Sequence, residues 1–308
     1  MIMTARRPII RRGPAVMALL GGLALFAAAG SAAAGTRIDE SRKAEPNGHV
    51  EISNTSGTVE IEAWDRDEIR IGGELGKGTE RLDFETSGDV THIKVILPQK
   101  SRNVKGTDLR IRVPEGSSIA INTVSADIVV RGVRGAQRLQ SVSGDIVSGD
   151  DASEIECKTV SGDVVLTGTG ETGIYTITTV SGDAEVADVA GEISVNTVSG
   201  DFELVTGEAT RSRMRSTSGD LTMTSKLARN ARLDVESISG DIRVDFKGKV
   251  DAEFDVSSFN GDISNCFGHE STRTSQYAPG RELRFREGAG SARVRIKTLN
   301  GDVNLCTD

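Results

Sequence analysis

The residues best able to do chemistry in this chain are aspartates at near-constant intervals. Asp127, Asp145, Asp163, Asp183, Asp201, Asp220, Asp241, Asp262 and Asp302 each sit in a phrase such as Thr159-Val160-Ser161-Gly162-Asp163-Val164. The steps between them are 18, 18, 20, 18, 19, 21, 21 and 40 residues. A period near twenty is the signature of a solenoid. In stacked coils these acids form a ladder about 4.8 Å apart. Such a row could hold calcium, because a hard cation relieves repulsion between close carboxylates. It could instead be structural, each Asp accepting backbone N–H bonds in its own turn. Calcium-binding solenoids carry Gly-Gly-x-Gly-x-Asp, a richer glycine pattern than the single Gly before Asp here. The ladder is therefore read as a corner cap, with no metal and no cofactor.

Other reactive types are sparse. The three histidines, His49, His92 and His269, are scattered, and no Gly-x-Ser-x-Gly, His-x-x-x-His or paired-Cys zinc spacing occurs. An active site needs converging acids, bases or nucleophiles, so no catalytic residue is assigned. Arg131, Arg134 and Arg138, and Arg211, Arg213 and Arg215, read as solvated outward positions, and Trp64 as cap packing. Cys266 and Cys306 each lie four residues after a ladder Asp. In neighbouring coils that shared phase brings them within bridging distance, and a disulfide is expected. Cys157 takes the phase of Val195 and Val235 and reads as core.

The elements that position these residues are short strands. From Ile119 each unit reads apolar-x-apolar-x-Ser/Thr-apolar-Ser-Gly-Asp-apolar-x-apolar, as in Ile193 to Leu204 and Leu233 to Val244. Alternation puts each apolar pair on one strand face. The phase shifts at the Ser/Thr, so the chain turns a corner there. The Val of the phrase is assigned to the core, and the Gly to a turn needing φ > 0, where Ala126 would be strained. A lone coil cannot offset its own ordering entropy, so the coils must stack. The fold class is all-β, a β-solenoid of 18–21-residue coils with an irregular β cap at its N-terminal side.

The domain organisation follows. Arg6, Arg7, Arg11 and Arg12 precede an apolar run from Ala15 to Ala29 and the small residues Ser31 to Ala34. That is a signal peptide over 1–34, cleaved after Ala34. The run is short for a membrane anchor, and Ala5 stands where a twin-arginine signal carries Ser or Thr. Residues 35–48 read as a loose polar leader, and 49–308 as one solenoid domain. Within it 49–117 is the cap, with Thr58 of a degenerate copy in the Asp place. Residues 118–267 are the regular repeats, 268–290 an excursion, and 291–308 a unit that closes the stack. No stable membrane insertion is expected after cleavage. Removing the four leader arginines leaves 33 basic against 45 acidic residues, a net charge of −12. An acidic exported chain is a poor binder of nucleic acid or anionic lipid through overall charge.

Trp64-Asp65-Arg66, then Val113-Pro114-Glu115-Gly116, then iterated Val-Ser-Gly-Asp resemble the bacterial β-strand-repeat "putative adhesin" family, a domain of unknown function. The resemblance covers residues 49 to 306. It implies an exported β-solenoid, often beside envelope-stress or signalling genes, and supplies no catalytic residues. The expected function is a non-enzymatic structural, adhesive or binding role at the cell envelope, periplasmic or secreted. The partner would be an envelope protein or glycan. A stress regulator acting through a partner, and a carbohydrate-active enzyme, are the alternatives.

Overall fold

The computed structural model describes residues 35–99, 104–149, 152–275, 277 and 279–307. The expected signal peptide lies outside the described residues. The described chain is all-β, with no helix.

Its body is a β-solenoid-like parallel stack. Each coil supplies two arms on either side of the corner phrase. On the first arm, Ser118–Arg131 pairs in parallel with Gln137–Gln140, which pairs with Glu154–Lys158, and so on upward. On the second arm Ile128 pairs with Ile146, and Ile146 with Val164, each 18 residues on. The inward column Ile121, Leu139, Cys157, Ile177, Val195, Met214, Val235, Ile296 and Val256 is wholly buried. The period-2 alternation of each strand thus becomes one continuous apolar seam.

Layer order departs from chain order at both ends. Ala292–Asn300 pairs in parallel with Leu221–Ser239 on one side and with Ala252–Asn260 on the other. On the second arm Val303–Thr307 lies between Ile242–Phe246 and Ile263–Asn265. The unit 291–308, expected to close the stack, is therefore slotted one layer in, and the coil of Asp262 lies outside it. The excursion before it supplies Arg281–Glu287, which runs antiparallel along Ala252–Asn260 and covers that outer edge. Phe285 stacks on Phe254 with ring centroids 4.3 Å apart. This apolar seal gives the outer coil the neighbour it would otherwise lack.

The N-terminal side repeats the device. His49–Trp64 lies between Ser118–Arg131 and a layer made of Val90–Ile96 and Thr107–Pro114. Thr58 pairs with Asp127, in the Asp place of a degenerate copy. The segment 35–48 is not loose: Thr36–Lys43 pairs antiparallel with Glu68–Leu75, and that strand pairs with Thr107–Pro114. Arg81–Ser87 covers Val90–Ile96 in the same way. Antiparallel caps at both ends shield the unpaired edges that a stack of parallel coils would expose.

Candidate binding surface

The corner phrase builds the most regular surface. A Cβ at any of its glycines would meet a backbone oxygen of the neighbouring layer at 1.9–2.3 Å, and at six of them φ adds a second cost. Gly57, Gly200, Gly219, Gly240, Gly261 and Gly301 have φ between 107° and 158°, where a side chain is strained. Gly144, Gly162 and Gly182 do not. There a Cβ would come within 1.9–2.1 Å of the carbonyl oxygen of the neighbouring coil. The expectation of positive φ at every copy is thus corrected, and with it the strain assigned to Ala126. Ala126 is fully buried and lies outside the positive-φ region.

The Ser and Thr hydroxyls of the corner phrase follow this division. Where φ is not positive, the Gly N–H donates to the hydroxyl of its own corner: Gly144 to Ser141, Gly162 to Thr159 and Gly182 to Thr179, at 2.8–3.0 Å. Where φ is positive the peptide is turned. Gly200, Gly219, Gly240 and Gly301 donate to the carbonyls of Ser218, Ser239, Asn300 and Asn260 in the next layer. The hydroxyls of Thr197, Ser216, Ser237 and Thr298 then have no partner among the described residues.

The aspartates act between coils rather than within a turn. The N–H of Asp145 donates to a carboxylate oxygen of Asp127, and that of Asp163 to Asp145, at 3.1 and 2.9 Å. The chain of bonds runs on through Asp183, Asp201, Asp220 and Asp241. Asp302 then donates to Asp241 and Asp262 to Asp302, each at 2.8 Å. The ladder follows layer order, and its last carboxylate meets the Arg281 guanidinium at 2.8 Å. One carboxylate oxygen per rung is engaged by the adjacent coil. Among the described residues no group of three His, Cys, Asp or Glu side chains is arranged to hold a metal ion.

The Val of the phrase, expected in the core, is outside. Val124, Val142, Val160, Val180, Val198, Ile238, Leu299 and Phe259 are 39–50% exposed. In layer order they form one row at the corner, interrupted only by Thr217. At about 4.8 Å per layer the row from Val124 to Phe259 runs for about 38 Å. Exposed apolar side chains scattered singly need no explanation, but a contiguous row does. The seam inside was legible from alternation. The ridge was not, because its residues share the apolar type of core positions and differ only in which way the corner turns them.

The remaining candidates separate. Cys266 and Cys306 are joined in a disulfide, with Cα atoms 4.8 Å apart. Cys157 is buried and free. Arg131, Arg134 and Arg138 pair with Glu60, Glu115 and Glu156 respectively. Trp64 donates its indole N–H to the Glu68 carbonyl at 2.7 Å, with the Arg66 and Arg112 guanidinium groups over its ring. His49 and His92, scattered in sequence, both approach Glu51, at 3.5 and 3.1 Å. Arg211, Arg213 and Arg215 acquire new neighbours, because the slotted coil places Arg293, Arg295 and Lys297 two layers away on the same face.

The Toastrack family model (DUF4097) matches residues 47–306. The chain belongs to the Toastrack family. No curated protein matches it. Among solved structures it is similar to a Clostridium sporogenes protein described as a "putative cell adhesion protein", at 10% identity and a TM-score of 0.24, over 89% of this chain and 100% of that one. It is also similar to a Bacteroides fragilis "putative adhesin", at 11% identity and a TM-score of 0.39, over 88% of this chain and 97% of that one.

Proposed function

We propose that this Toastrack chain is an exported, non-enzymatic binding module of the cell envelope whose corner ridge docks a protein partner. The observation that carries the reading is the row of half-exposed apolar side chains from Val124 to Phe259. The fold does not require apolarity there, since Thr217 occupies the same station in its layer. Apolar area kept in water by eight of nine successive layers is what an interface core needs. The leader over 1–34 and the disulfide support export to an oxidising compartment.

The test is to replace Val142, Val160 and Val180 together by Thr. Threonine keeps the β-branched shape and the strand preference. The variant is expected to melt as the parent does and to lose cross-linking to its partner in envelope fractions. Undiminished cross-linking would remove the ridge from the binding surface. Mass spectrometry of the mature protein tests export, with Gly35 expected as the first residue.

A further inference from the structure

The outward face of the first arm carries a basic patch. Three layers meet there: Arg211, Arg213 and Arg215; then Arg232, Asp234 and Glu236; then Arg293, Arg295 and Lys297. Seven of these nine exposed or half-exposed positions are cationic and two acidic, a local charge of +5 in a chain whose net charge is −8. Arg211, Arg232 and Arg293 pair directly, one above the other, in three consecutive layers. Like charges directly opposite on a sheet are destabilising. Arg232, at the centre of that column, has no carboxylate within 4.0 Å among the described residues, nor have Arg213, Arg293 or Lys297. The arrangement exists only because the last repeat is slotted in. In chain order Arg232 would face Glu253, the residue that now pairs with Arg293 instead.

We propose that this face binds a linear acidic polysaccharide, its carboxylates seated on the column of Arg211, Arg232 and Arg293. Arg presents a planar fork of donors that matches a carboxylate bidentately. Layers about 4.8 Å apart repeat that donor along a line, as a polymer repeats its charge. The patch is narrow, and Glu192 and Glu253 border it in the layers on either side. Those acids oppose a broad anionic bilayer, and the patch offers no aromatic platform on which bases would stack. The site is separate from the corner ridge and does not depend on it.

The experiment uses the purified full protein at low ionic strength, with polygalacturonate as the probe. Neutral dextran, a single-stranded DNA oligomer and phosphatidylglycerol vesicles are the comparisons. The parent is expected to bind polygalacturonate saturably and dextran not at all, with affinity falling as salt rises. The double substitution Arg232→Gln and Arg293→Gln should weaken binding about tenfold or more and flatten the salt dependence. It should leave the melting temperature of the free protein equal or higher, because a like-charge stack has been relieved. Substituting Val142, Val160 and Val180 should leave this binding intact. No saturable binding by the parent, equal binding by the Arg variant, or tighter binding of DNA or vesicles would overturn the assignment. So would salt-sensitive self-association without glycan, which would make a second copy the occupant.

Discussion

At the scale of single residues, small differences in geometry set large costs. A Cβ at Gly182 would lie 1.9 Å from the Gly162 carbonyl oxygen. Backbone cannot swing aside there without breaking the inter-coil bonds, so Gly182→Ala should cost at least 1–3 kcal/mol, roughly the scale of overpacking. Gly207 is the control. Its φ is not positive, and an added Cβ there would meet nothing nearer than 3.8 Å. Gly207→Ala should be neutral or stabilising by up to about 1 kcal/mol, since it narrows the unfolded ensemble. Urea midpoints of the two variants check both. Cys157 gives another residue-level outcome. Burial, with the nearby Glu156 charge as the lesser cause, pushes its thiol up to about 12. The native protein at about pH 8 should therefore not react with a thiol reagent, and Cys157 should titrate only on unfolding.

At the scale of elements, the joints of the slotted coil decide how firmly it is held. Asp251 immediately precedes the strand Ala252–Asn260, and its carboxylate accepts the N–H groups of Gly290 and Ser291 at the turn into the last repeat. Those bonds, the Ser291 N–H foremost, hold its pKa below the ordinary value. A carboxylate depressed in the folded state contributes stability above its unfolded pKa, and that contribution is lost as pH falls through the folded value. Asp251→Ala should thus be less stable than the parent at neutral pH, and the gap should close below about pH 4. Parallel melts across pH would show it. The disulfide ties the slotted coil to the outer one across 40 residues. Removing both cysteines should cost about 4 kcal/mol in the chain-entropy model, read as a lower denaturant midpoint.

At the scale of the whole molecule, neither end of the described chain forms the outermost layer of the parallel stack. The layer His49–Trp64 and the layer 292–307 each have coils on both sides. Termini are where structures usually fray; here the last repeat is held between two layers, while Thr36–Lys43 pairs on one edge only, with Glu68–Leu75. The outer coil 252–265 forms its ladder bonds to the stack through the last repeat. Truncation after Gly290 should therefore release 252–290 as well, leaving a stack that ends at Phe246. Limited proteolysis of that truncated form should cut within 252–265, and the full chain should resist cleavage there.

The sequence alone determined the all-β class, the period, the stack and the shared phase of Cys266 and Cys306. Each of these rests on local periodicity, which repeats carry openly. The Asp ladder was legible as a cap, but its partners were not, because a bond between layers looks the same in one dimension as a bond within a turn. The tertiary structure decided the rest. It turned the Val of the phrase outward, split the glycines into two corner types, and set the last repeat between the Asp241 and Asp262 coils. The physical reason is that repeats are interchangeable neighbours. Any coil presents nearly the same edge to any other, so chain order does not dictate layer order. The choice falls to non-repeating contacts, such as Phe254 on Phe285 and Arg281 on Asp262. The nine aspartates that first suggested chemistry are the seam along which the layers are ordered. The surfaces best suited to binding, the ridge and the Arg column, arise only once that order is set.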